Sequence, residues 1–199
     1  NTKAILLNSQ GNLIDSVSIP ATTKETPQRW HRNFCHAMNH FKKNGSFKNQ
    51  KIYCSATTQG GSFVLLDKNL KPSAGSLAGL KGQKQGFCRS AYKKPHKKGG
   101  LQNHWLGPDG WLAPCKINEE RANNSLPEDF KFLAAVPEFV YSRFTDKLIT
   151  DITNAQMTGC CDFKNARWNK KMMDFINTDT GRQVSVEVIE VCVNGGDTL

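Results

Sequence analysis

Thr150-Asp151-Ile152-Thr153-Asn154-Ala155-Gln156 runs on through Thr158-Gly159 to Asp162-Phe163 and Trp168, and the fold turns on this stretch. Just upstream, Phe139, Val140 and Phe144 recur at helical spacing after Pro137, which starts or kinks that helix. Residues 148–152 read as a strand and 169–176 as a short helix. Asp151 and Asn154 have the side chains that cap a local turn by bonding to the backbone.

Working outward, Phe130, Leu133 and Ala134 read as a further helix after Leu126-Pro127. Residues 184–193 alternate well enough for a strand, which leads into Asn194-Gly195-Gly196-Asp197. At the other end the chain opens as a β-hairpin. Residues 3–8 are apolar, Gln10-Gly11-Asn12 supplies turn chemistry, and 13–19 alternate before Pro20. From Pro27 the period changes, with Trp30, Phe34, Met38 and Phe41 on one helix face and Asn44-Gly45 as its end. Two short strands are expected over 51–55 and 62–67, separated by Gln59-Gly60-Gly61 and followed by a turn at Lys68-Asn69. The order strand, strand, helix, strand, strand indicates a mixed α/β fold.

Residues 72–124 read as irregular, being rich in Gly, Lys, Gln and Asn, and a structureless stretch of that length is unusual inside a compact domain. Within it lie Lys81, Lys84, Arg89, Lys93, Lys94, Lys97 and Lys98 with no acid among them. Such a run can neutralise nucleic-acid phosphates or form a solvated loop. Phe87 and Tyr92 are the only aromatics interleaved there, which gives thin support for base stacking.

The net charge of the 199 residues is +10, from 27 basic and 17 acidic side chains. No stretch has the roughly 20 apolar residues that span a bilayer, and the first residues read as a strand, with no secretory leader. The seven cysteines include no CxxC pair, and an odd number suits a disulfide scaffold poorly. The expectation is a reduced compartment with the thiols as small core residues, and no cysteine-held metal.

The central stretch, with Phe139-Val140-Tyr141-Ser142-Arg143-Phe144-Thr145-Asp146 before it, resembles a segment of the FGGY carbohydrate kinase family. Thr2-Lys3-Ala4 with Gly11-Asn12 is similar to the first hairpin of those kinases, and Trp30 stands where they carry a tryptophan before a helix. Thr57-Thr58-Gln59-Gly60-Gly61 looks like the family's Ser-Gly-Gln-Met-His-Gly, and Gly195-Gly196-Asp197 like its turn bearing the catalytic aspartate. The resemblance implies an actin-like (ribonuclease-H-like) α/β ATPase domain, the incomplete N-terminal half of a two-domain sugar kinase. On this basis residues 1–183 are the sugar-binding domain, with the irregular basic segment 72–124 inside it, and 184–199 begin a second domain.

The activity implied is ATP-dependent phosphorylation of a sugar or polyol hydroxyl in the complete protein, with magnesium as the accompanying ion. Asp197 would be the catalytic base. Gln59, Asp151 and Asn154 would bind substrate, although turn capping explains Asp151 and Asn154 equally well. Thr2, just after the position of the family's phosphate-binding Asp-x-Gly-Thr loop, is assigned to the cofactor. That loop and the family's Trp-x-Asp-x-Arg are not found in the chain, and Gly60-Gly61 replaces Met-His. This chain alone is therefore expected to have little or no activity. An inactive remnant, or a non-enzymatic binding protein using the 81–98 run on nucleic acid, is the alternative. The expected partners are a small sugar or polyol and ATP. No membrane partner is expected and nucleic acid is not favoured, a homodimer is left open, and the expected location is cytoplasmic.

Overall fold

The computed structural model describes residues 1–21, 26–46, 53–58, 60–73, 112–165, 167–170, 172–173 and 190–192. The chain divides into two compact units, Asn1–Thr57 and Thr58–Leu199.

In the first unit, β1 (Thr2–Leu7) and β2 (Leu13–Ile19) form an antiparallel hairpin, pairing Thr2 with Ile19, Ala4 with Val17 and Leu6 with Asp15. Asn8 builds the turn, its Oδ1 accepting the backbone N–H groups of Gln10 and Asn12 at 3.0 and 2.9 Å. Helix α1 (Pro27–Lys43) packs across both strands. Thr26 caps its start by accepting the Arg29 N–H, and Pro27 occupies the first turn, where a missing N–H costs nothing. The end is a Schellman arrangement. Ser46 N–H bonds the Phe41 carbonyl and Gly45 N–H that of Lys42, with Gly45 at φ +70°. Hairpin and helix thus agree with the sequence reading.

The apolar stripe of α1 includes a polar member. Asn33 is buried between Trp30 and Ala37, and its Nδ2 donates to the Thr2 hydroxyl at 2.9 Å. Farther along, Asp15 accepts from Asn44 and faces His40 at 3.3 Å. The Asn44 hydrogen bond, helped by His40 and the Ser16 N–H, holds the Asp15 carboxyl below its ordinary range. Ile5, Leu7, Leu13 and Ile14 remain exposed.

In the second unit, β3 (Phe63–Leu66) is buried on both faces and pairs antiparallel with β4 (Phe132–Ala135), Leu65 opposite Leu133. Asp67 closes the turn after β3 by accepting the N–H groups of Asn69 and Lys71. Helix α2 (Ala113–Ala122) precedes β4, and α3 (Val136–Thr145) follows it directly with Pro137 in its first turn. Strand β5 (Ile149–Asp151) runs parallel to β8 (Glu190–Cys192), and α4 (Ile152–Met157) begins where β5 ends. A short antiparallel pair, β6 (Cys161–Asp162) and β7 (Arg167–Trp168), follows. The core gathers Phe63 and Leu65, Leu112 and Ile117, and Phe130 and Cys160.

Three sequence expectations are corrected. Residues 132–135, expected as helix, form β4, because a short apolar run buried on both faces has no period to separate helix from strand. Tyr53 to Ser55, expected as strand, are exposed and carry no regular structure, and no strand runs beside them among the described residues. The segment 72–124, expected as irregular, ends in α2. That helix is buried by its first half (Ala113 to Ile117) rather than along one stripe, so it lacks the 3.6-residue signature. The basic run 81–98 lies outside the described residues.

Candidate functional site

The sequence stretch that opened the reading becomes the end of β5, a cap and α4. Asp151 is the N-cap, extended at φ −96°, ψ 167°. Its Oδ1 accepts the Asn154 backbone N–H at 2.9 Å, and its Oδ2 accepts the Asn154 side-chain amide at 2.6 Å. Asp162 and Asn165 repeat this arrangement one element later, at 3.3 and 2.8 Å. The pair is thus a local capping device. It also fixes the half-buried Asn154 amide and leaves its Oδ1 unbonded among the described residues.

Beneath this cap, Glu138 of α3 is 2% exposed. It reaches back to accept the Ala135 N–H and also accepts the Thr150 hydroxyl, so one carboxylate ties β4, α3 and β5 together. Burial pushes its carboxyl up to about 7, the nearby Asp151 charge adds to this, and the two hydrogen bonds act in the opposite sense. Nothing in the sequence reading singled out Glu138. The signal was there, in a Glu at the third position of a helix with Pro in its first turn.

The turn carrying Gly60 and Gly61 meets α2 and α4. A Cβ on Gly60 would clash with the Met157 Cε at the end of α4. Gly61 is buried at φ +84°, a conformation that glycine adopts without penalty. Its carbonyl accepts a hydrogen bond from the Lys116 ammonium, which also lies 5.6 Å from the Phe63 ring centroid. Burial lowers the proton affinity of Lys116. The Ala113 N–H of α2 bonds the Thr158 carbonyl at 3.0 Å, so the N-terminus of α2 and the C-terminus of α4 are joined. Cys160 and Cys161 lie just beyond. Burial pushes their thiols up to about 12 and about 11, so at neutral pH they are protonated core groups and not nucleophiles.

Of the expected site residues, Asp151 and Asn154 are brought together. Thr2 belongs to the first unit, with its hydroxyl engaged by Asn33. Gln59 and Asp197 lie outside the described residues. Among the described residues no group of three or more His, Cys, Asp or Glu gathers to hold a metal ion. The described residues build no magnesium or nucleotide site by themselves, and no chemical step is derived through one. No helix among them is long and apolar enough to cross a membrane.

No protein-family model matches the chain, and no curated protein matches it. Solved structures do. The xylulose kinase from Rhodospirillum rubrum superposes with a TM-score of 0.78 at 15% identity, over 94% of this chain and 40% of that one. The xylulose kinase from Lactobacillus acidophilus gives 0.76 at 16% identity, over 96% and 39%. The gluconate kinase from the same organism gives 0.71 at 16% identity, over 96% and 39%. The chain therefore shares the α/β fold of these sugar kinases over nearly all its length, and spans about two fifths of theirs.

Proposed function

We propose that this chain is the sugar-binding part of a carbohydrate kinase of the FGGY type, taking a small sugar or polyol at the start of α4 and the Gly60–Gly61 turn. The observation that carries this reading is the fold shared with xylulose and gluconate kinases, with TM-scores from 0.71 to 0.78 over at least 94% of this chain. The packing of Gly60 against Met157 supports it, because it sets the turn that follows Gln59 in the sequence against the helix that Asp151 caps.

In this reading residues 1–183 form the sugar-binding domain and 184–199 begin a second one. Asn154, held by Asp151, offers its carbonyl oxygen to a substrate hydroxyl, and Gln59 offers an amide. By the family resemblance, Asp197 would take a proton from the substrate hydroxyl and Thr2 would contact the nucleotide. ATP, with its magnesium, is the donor in the complete protein. The test is transfer from ATP to D-xylulose or D-gluconate by the complete protein, wild type against Asp197→Asn. A loss of at least a hundredfold is expected, and an unchanged rate would remove Asp197 from the mechanism.

A further inference from the structure

Lys116 sits where a lysine is costly. It is 2% exposed, flanked in α2 by the buried Cys115 and Ile117, with the Phe63 ring beneath its ammonium. Taking an ammonium out of water is costly before any compensation. A methionine would fill similar volume with no such cost. Among the things the amine supplies that an apolar side chain cannot is a hydrogen bond to the Gly61 carbonyl.

That carbonyl belongs to a turn gripped from two sides. The Met157 Cε leaves no room for a Cβ on Gly60, and Lys116 holds Gly61, whose backbone is in the left-handed region. Met157 ends the helix that begins at the Asp151–Asn154 cap, so both grips bear on the same site.

We infer that Lys116 is a positioning residue, which holds the Gly60–Gly61 turn in shape for ligand binding and is retained there at a cost in stability. The ligand part of this inference rests on the sugar-binding reading above, whereas the hold on the turn does not. Polar groups kept in a core for conformational specificity are known, and their replacement by apolar residues is often neutral or stabilising.

The experiment is Lys116→Met in the 199-residue chain, with three readouts: thermal midpoint, backbone amide exchange at Gly60 to Ser62, and the midpoint shift produced by D-xylulose. The expected result is a midpoint at or above wild type, with exchange in the turn faster by about tenfold or more, as for loss of a hydrogen bond to a charged donor. Exchange in β3 and β4 stays at the wild-type rate, and any D-xylulose shift is reduced. A variant that fails to fold, melts lower, or exchanges faster throughout the second unit would overturn the inference and make Lys116 a structural residue. So would unaltered exchange in the turn, or an unaltered sugar shift. Failure of D-xylulose to shift the wild-type chain counts against the sugar reading, and turn exchange then decides the role of Lys116 separately.

Discussion

The Thr150 hydroxyl donates to the buried carboxylate of Glu138, joining the middle of β5 to the first turn of α3. The next residue, Asp151, caps α4 and orders Asn154. The candidate site therefore stands on a buried acid whose protonation changes near neutral pH.

Glu138 makes stability depend on pH with a definite sign. Its carboxyl is raised from about 4.5 to about 7 in the folded chain, so between those values the folded state binds more protons than the unfolded one. Its contribution is full below the unfolded value and is lost as pH rises through 7, by roughly 3 kcal/mol in all. Urea melts of wild type and Glu138→Gln at steps from pH 5 to 8 should show the wild type weakening and the variant flatter. Parallel curves would contradict this.

Asp151→Ala removes the cap and both bonds to Asn154. A loss of about 1–2 kcal/mol is expected, read as a lower denaturant midpoint at unchanged slope. Asn154→Ala keeps the backbone bond to Asp151 and should cost less.

Asp146 ends α3 in the left-handed region at φ +53°. Glycine adopts that conformation freely, and part of the gain is offset by the greater freedom of glycine in the unfolded chain. Asp146→Gly is expected to stabilise by a few tenths to about 1 kcal/mol. A lower midpoint would mean that the aspartate side chain contributes more than the backbone strain costs.

Leu65 is fully buried in β3, opposite Leu133 of β4. Leu65→Ala should cost about 2–5 kcal/mol, the usual range for a large-to-small change in a core that cannot collapse around it. A loss below about 1 kcal/mol in a chemical melt would show that β3 is not the centre of the second unit's core.

The hairpin, α1, β3 and β5 were legible in the sequence, whereas the helix α4 was not and only the turn cap at its start was read. The signals were Gln10-Gly11-Asn12 for the turn, Pro27 and Asn44-Gly45 for the helix ends, and Asp151 with Asn154 for the cap, while the Asn8 and Thr26 caps were seen only in the structure. Helix α2 was hidden because it is buried at one end, and β4 because Phe132 to Ala135 has no alternation. At the site, the cap could be read locally. Lys116 and Met157 could not, since each acts on Gly60–Gly61 across a long stretch of chain, and in a chain of net charge +10 one more lysine carries no signal. Gln59 and Asp197 rest on the family resemblance alone.

The most direct measurement is a thermal melt of the 199-residue chain against D-xylulose, D-gluconate, glycerol and related polyols. A ligand that binds only the folded state at a hundredfold excess over its Kd adds about 2.7 kcal/mol. Sugar binding at α4 and the Gly60–Gly61 turn predicts a midpoint raised by several degrees with at least one of them, and a smaller rise in Asn154→Ala. A cooperative melt that none of them moves would contradict it.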